Sequence, residues 1–333
     1  MRHLYDLEEG RVREFIAGRH AKRVAVALPA GLRPLLPEIE EHIRSAGAEP
    51  TVLADPCYGA CDPGDDRART AGCDALVHYG HSDMGLPTSL PTLYVEARMI
   101  SDPSESLRGA LNRMKFSRVG LISNVQHAWS LERVAGILEQ AGIRAIVPPQ
   151  SSRTRYPGQV LGCDFSCARS IAQQVEGFLY VGTGAFHPLG CSLATGRPTA
   201  AFNPVSSTFE LYSDQREFLR RRSTMISRAA MGDRFGVIAC TKPGQRRFRL
   251  AENIAEKLRK SKKEAHVLVL DNVRPEELQD FKLDALVCTA CPRIAIDDSE
   301  RFSFPILTPF EVEVMLGAQN IKPYQLDEIG KRI

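Results

Sequence analysis

Nine cysteines are spaced along the 333 residues in a pattern that suggests metal chemistry: Cys57, Cys61, Cys73, Cys163, Cys167, Cys191, Cys240, Cys288 and Cys291. Six of them form three pairs, in DPCYGACD, PGQVLGCDFSCA and VCTACPRI, one pair to each third of the chain. The opening residues MRHLYDLEEGRVREF lack the apolar stretch of a signal peptide. A reducing, cytoplasmic setting is therefore expected, where clustered thiols more often mean metal or catalysis than disulfides. Structural zinc fits poorly, because it takes four ligands with tight CxxC knuckles and only CTAC has that spacing. No compact run of three cysteines occurs, so a shared site has to be assembled from distant segments. One thiolate from each third would supply three soft ligands, which suits a 4Fe-4S cluster whose remaining iron has no protein ligand and stays open for chemistry. Cys73, Cys191 and Cys240 lie at a strand start, after an HPLG turn and at a strand end, and read as small buried hydrophobes.

The scaffold that positions such thiols is a repeat. KRVAVALP (22–29), SRVGLISN (117–124) and DRFGVIAC (233–240) are short apolar runs that read as buried parallel strands. Each precedes a stretch of helical periodicity: LLPEIEEHIRSAG, SLERVAGILEQAG and RLAENIAEKLRKS. A second strand follows in EPTVLAD, RAIVPPQ and AHVLVLD, and a third in CDALVHYGHS, VEGFLYVGTG and LDALVCTACP. Strand, helix, strand predicts parallel pairing by right-handed crossover. The fold expected is α/β, with three similar small domains over 1–103, 104–212 and 213–333, each a short parallel sheet with flanking helices. One doubly wound sheet with look-alike units is the alternative. Apolar residues at 43% and charged residues at 25% are ordinary for a globular protein, and the length suits two or three domains. A net charge of +3 and the absence of a long apolar run predict neither direct nucleic-acid binding nor a membrane span. The basic runs RRR (220–222) and KLRKSKK (257–263) read as solvated helix faces.

YGAC (58–61), GQVLGC (158–163), ACPRI (290–294), HYGHS (78–82) and GAFHPLG (184–190) together resemble the archaeal diphthamide biosynthesis enzymes over almost the whole chain. These are the 3-amino-3-carboxypropyl transferases that begin modification of a histidine on translation elongation factor 2. The resemblance implies three α/β domains arranged around a central cluster, a homodimer, and a 4Fe-4S cluster held by Cys61, Cys163 and Cys291. Cys57, Cys167 and Cys288 are then spare, Cys57 being the closest rival. It also implies a noncanonical radical use of S-adenosylmethionine as cosubstrate. An electron from a donor protein breaks the bond from sulfur to Cγ, releasing methylthioadenosine, and the fragment adds to imidazole C2 of the target histidine in elongation factor 2. For the S-adenosylmethionine pocket, Gly80, His81 and Ser82 and Gly182, Thr183 and Gly184 follow third strands, where small residues let backbone approach a ligand. His187, Gln245 and Arg293 are further candidates, with Arg246 and Arg247 as possible carboxylate clamps. Tight glycine turns and structural histidines are the plainer readings of the same residues. A quinolinate-synthase-like enzyme, which shares the three-domain, three-cysteine plan, and a silent scaffold or electron-relay subunit are the rival functions.

Overall fold

A computed structural model describes residues 4–330. The three expected first strands form as Arg23–Ala27, Arg118–Ser123 and Arg234–Cys240. Their apolar runs are continuous because a parallel strand is covered on both faces. In the last of them, Phe235, Val237 and Ala239 join the core under the helix Phe248–Lys260, while Ile238 and Cys240 face a second core with Leu286, Cys288 and Phe302. That helix turns Ala251, Ile254, Ala255 and Leu258 inward at helical spacing and ends in Lys257, Arg259 and Lys260, where cations complement the carbonyl end of the helix dipole.

Beside a two-stranded antiparallel pair of Tyr5–Asp6 and Arg98–Met99, three larger sheets share one strand order, with the second strand outside the first and the third on its other side. The first sheet runs Glu49–Leu53, Arg23–Ala27, Ala75–Tyr79, Thr92–Val95, all parallel. The last runs Glu264–Leu270, Arg234–Cys240, Ala285–Cys288, Ile306–Leu307, again all parallel. The middle sheet runs Arg144–Ile146, Arg118–Ser123, Gly177–Val181, Thr199–Asn203, Thr208–Tyr212. The expected helix and strand series is thus present. The fourth strands are additional, and each is announced by a proline. The carbonyls of Pro91, Pro198 and Pro305 accept hydrogen bonds from the N–H groups of Leu76, Phe178 and Leu286, each at 2.9 Å. A proline can open a strand because only its carbonyl is needed there.

The chain divides into two compact units. One contains the residues up to Val160 with Leu179–Thr183 and Phe202–Phe209; the other contains Leu161–Phe178, Gly184–Ala201 and the chain from Glu210 onward. Among the described residues no helix is long and apolar enough to cross a membrane.

One basic run departs from the sequence reading. Arg220 and Arg221 are exposed on the helix Arg216–Ala230, but Arg222 is buried. It donates to both carboxylate oxygens of Glu311 at 2.6 Å and to the carbonyls of Ala295 and Ile306 at 2.8 and 2.7 Å. Glu311 completes a capping box with Thr308 and accepts from the Tyr324 hydroxyl at 2.8 Å. A buried charge is tolerated when it is paired and well hydrogen-bonded, and here each guanidinium nitrogen finds an acceptor. Tyr324→Phe deletes one bond to this carboxylate and is expected to lower stability by about 1.5 kcal/mol. A reduced urea midpoint with unchanged slope is the measurement that checks it.

Candidate functional site

In the first unit, the loop after Glu49–Leu53 carries Cys57 and Cys61, and the turn after Ala75–Tyr79 carries Gly80, His81 and Ser82. Both lie beyond the carboxyl ends of parallel strands, where open α/β sheets bind ligands. The Asp62 N–H donates to the Gly59 carbonyl at 3.0 Å, and the Asp62 carboxylate pairs with Arg67 at 3.0 Å, so the loop folds back on itself. Cys61 is half-buried, its sulfur within van der Waals range of a Cβ at Gly59. Cys57, also half-buried, lies near Cys61; burial, then Asp62 and Cys61, push its thiol up to about 12.

Gly80 has φ of 81°, and a Cβ there would meet Pro29 Cγ at 2.8 Å, so only glycine makes this turn without strain. Its N–H donates to the Val95 carbonyl at 2.7 Å and its carbonyl accepts from Gln126 Nε2 at 2.8 Å. The turn folds His81 back onto His78, with Nδ1 of the one 3.1 Å from Nε2 of the other. Ser82 is buried and its hydroxyl accepts from Gln159 Nε2 at 2.8 Å. Beside Gly80 lies a cavity of about 140 Å³ lined also by Thr183, Asn124 and His127. His127 is fully buried, and among the described residues neither ring nitrogen has a hydrogen-bond partner; Asn124 Oδ1 is also unpaired. Burial holds the His127 ring neutral, with a pKa of about 4. These two residues were absent from the sequence reading, although NVQH directly follows a first strand and thus occupies a ligand-facing loop. Close by in the chain, Gly182 is obligatory for another reason: a Cβ would lie 2.7 Å from the Tyr180 hydroxyl.

In the second unit, Gly162 and Cys163 form a tight turn closed by mutual backbone bonds of Leu161 and Asp164 at 3.2 and 3.0 Å. Gly162 packs so closely on Phe186 that a Cβ would fall 2.5 Å from its ring, and the same Cβ would touch Arg293. The Arg293 guanidinium sits 4.9 Å over the Phe186 ring and bonds Asp297 at 2.8 Å. His187, next to Phe186, is held neutral with a pKa of about 4 by burial and then by the Arg293 charge. Cys291 caps the helix Pro292–Ile296. The two residues before it are anchored by Arg247, which donates to the Thr289 and Ala290 carbonyls at 2.7 and 3.0 Å and to both oxygens of Asp327 at 2.8 and 2.6 Å. The same C-terminal stretch ties down the other loop: the Ile329 N–H donates to the Cys163 carbonyl at 2.9 Å and Glu328 accepts from the Phe165 N–H at 2.5 Å.

Four candidates, Cys163, Cys291, His187 and Arg293, thus lie in one unit, their loops held by Arg247, Phe186 and the C-terminal stretch 327–329. Arg247 is committed to this scaffold and is not available as a carboxylate clamp. Gln245 is buried in the turn Pro243–Gln245, and Thr183 and Gly184 are exposed. Cys73, Cys191 and Cys240 are buried, as expected, and so are Cys167 and Cys288. Burial pushes Cys167, Cys191 and Cys288 up to about 12, so they stay protonated. Cys61, Cys163 and Cys291, like Cys57, are half-buried thiols on loops, and Gly162 beside Cys163 leaves no room for a Cβ. Thiolates on loops are the ligands that iron–sulfur clusters take.

Comparison with known proteins agrees. The family described as putative diphthamide synthesis protein matches residues 28–325. The chain is 35% identical over 328 residues to the 2-(3-amino-3-carboxypropyl)histidine synthase of Pyrococcus horikoshii, spanning 98% of this chain and 94% of that one. It is 32% identical over 326 residues to subunit 1 of the synthase of Eremothecium gossypii, spanning 94% of this chain and 75% of that one. The crystal structure of Dph2 from Pyrococcus horikoshii with a 4Fe-4S cluster superposes with a TM-score of 0.91 at 35% identity, covering 98% of this chain and 95% of that one. With the repeated parallel sheets and the cysteine loops they present, this match along nearly the whole sequence means that the chain belongs to the diphthamide synthesis protein family.

Proposed function

We propose that this chain transfers the 3-amino-3-carboxypropyl group of S-adenosylmethionine to imidazole C2 of a histidine in translation elongation factor 2. On this reading Cys61, Cys163 and Cys291 hold a 4Fe-4S cluster, and the chain forms three domains over 1–103, 104–212 and 213–333. The enzyme works in the cytoplasm as a homodimer supplied by an electron-donor protein. The observation that carries this reading is the lacing of the Cys163 and Cys291 loops by Arg247, Asp327 and Phe186, in a chain that matches a cluster-bearing Dph2 over 98% of its length.

When bound, such a cluster supplies the electron that breaks the bond from the sulfonium sulfur to Cγ, leaving methylthioadenosine. The chain's own residues bind and orient. Gly80, His81 and Ser82, with Gly182, Thr183 and Gly184, bring backbone close to the cosubstrate, and Asn124 and His127 add unpaired polar atoms to the cavity that Gly80 and Thr183 line. Arg293 offers a guanidinium fork to the methionine carboxylate, and Gln245 an amide. His187, neutral at pH 7, hydrogen-bonds without repelling the sulfonium cation. Cleavage at Cγ is then a matter of which carbon these contacts hold in line.

The test is anaerobic turnover of reconstituted protein with dithionite, S-adenosylmethionine and elongation factor 2. Methylthioadenosine and a mass gain on one histidine of the factor are expected. Release of neither, from protein carrying its full iron, overturns the reading.

A further inference from the structure

Cys57, His78 and His81 belong to different segments of the first unit yet bring their donor atoms within 4.8 Å of one another. We infer that these three residues form a zinc site, with three protein ligands and an open fourth position, separate from the thiols of Cys61, Cys163 and Cys291. The inference does not depend on the activity proposed above.

Two of the three separations are close to those of a tetrahedral ligand set, and the third is within 4.8 Å. Zinc bonds of about 2.3 Å to sulfur and about 2.05 Å to nitrogen, at the tetrahedral angle, place sulfur and nitrogen about 3.6 Å apart and two nitrogens about 3.4 Å apart. Here Cys57 Sγ is 3.5 Å from His78 Nε2, and His78 Nε2 is 3.1 Å from His81 Nδ1. His78 is fully buried and its Nδ1–H donates to the Pro63 carbonyl at 3.2 Å. That bond fixes the tautomer, directs the Nε2 lone pair at the other two ligands, and is the outer contact that zinc-binding histidines usually make. The pairing of one thiolate with two imidazoles suits zinc better than calcium or magnesium, which take oxygen.

A second observation concerns the open position. The Tyr94 ring lies 5.2 Å from that of His78, and its buried hydroxyl has no hydrogen-bond partner among the described residues. Burial, then the Asp83 and Asp65 carboxylates, raise the pKa of this hydroxyl, so it keeps its proton. A water on the fourth zinc position would give this orphan hydroxyl a partner. Binding would expel the Cys57 thiol proton to solvent. The His81 ring, which must lend its Nδ1 lone pair, would carry its proton on Nε2. The metal would pin the cysteine loop to the HYGHS turn, adding to the bond of His78 to the Pro63 carbonyl.

The test measures zinc and iron together in protein purified anaerobically without chelators. Wild type should carry zinc beside its iron, in a ratio of one per chain. A variant with Cys61, Cys163 and Cys291 all changed to serine should lose iron and keep zinc, and its cobalt(II) form should show thiolate-to-cobalt charge-transfer absorption. Cys57→Ser and His81→Ala should each lower zinc occupancy about tenfold or more while iron stays. His78 is avoided because it is buried; far-ultraviolet circular dichroism checks that the other variants fold. Wild type without zinc, zinc unchanged in Cys57→Ser, or loss of iron instead of zinc in that variant each overturn the inference, the last by making Cys57 a cluster ligand.

Discussion

Cys61→Ala, Cys163→Ala and Cys291→Ala should each lower the iron content of anaerobically reconstituted protein about tenfold or more, while Cys73→Ala and Cys191→Ala leave it unchanged. The contrast rests on where the thiols sit. Cys73 and Cys191 are buried in apolar surroundings, 6% and 0% exposed, and behave as small hydrophobes. Replacing either removes one sulfur from a packed core at a cost of about 1 kcal/mol, too little to unfold a chain of this size. The three other thiols stand on loops with partial access to solvent, so their sulfur atoms are available to a metal. A cluster held by three thiolates also has no fourth protein ligand in reserve, so each loss exposes another iron to solvent. Cys288 is a useful internal control: three residues from Cys291, it is fully buried and its thiol donates to the Cys291 carbonyl at 3.4 Å. Iron and visible absorption of the variants decide the matter, and unchanged iron in all three loop variants would defeat the cluster assignment.

The parts of the fold legible in the sequence are those governed by local pattern. Buried parallel strands need unbroken apolar runs, so VAVA, VGLIS and FGVIA announce themselves, and so do the crossover helices with their four-residue spacing. The fourth strands escape because they stand behind Pro91, Pro198 and Pro305; proline reads as a breaker unless one knows that its carbonyl alone is paired. Arg222 and Arg247 escape for a different reason. Arg222 lies in a basic run that looks solvated and Arg247 reads as a clamp for a ligand carboxylate, whereas their carboxylate partners are 89 and 80 residues away in the chain, a pairing only tertiary structure reveals. The histidines of HYGHS look isolated in sequence. It is the positive φ at Gly80 that turns His81 onto His78 and brings both to Cys57. The chemistry-bearing cysteines were legible through their loops, whereas the residues that hold those loops were not.

Arg247 offers the sharpest way to separate support from stability. It is 6% exposed, paired with Asp327 and with the two carbonyls that precede Cys291. Arg247→Met leaves the Asp327 carboxylate buried without its partner and should cost about 3–5 kcal/mol, because an uncompensated buried charge is the expensive outcome. Adding Asp327→Leu removes that charge. The double variant should recover most of the lost stability, since apolar residues of similar volume can replace a buried ion pair at little net cost. What it cannot recover is the pair of hydrogen bonds to Thr289 and Ala290. If Arg247 serves to position Cys291, the double variant unfolds near the wild-type denaturant midpoint yet assembles less iron than wild type under anaerobic reconstitution. Iron content that returns in step with stability would make Arg247 a packing residue only, and Arg247→Lys would then match wild type in both measurements. The lysine variant adds a further constraint, because one ammonium cannot reproduce a fork that reaches two carbonyls and a carboxylate at once. Its iron should fall between those of the double variant and the wild type.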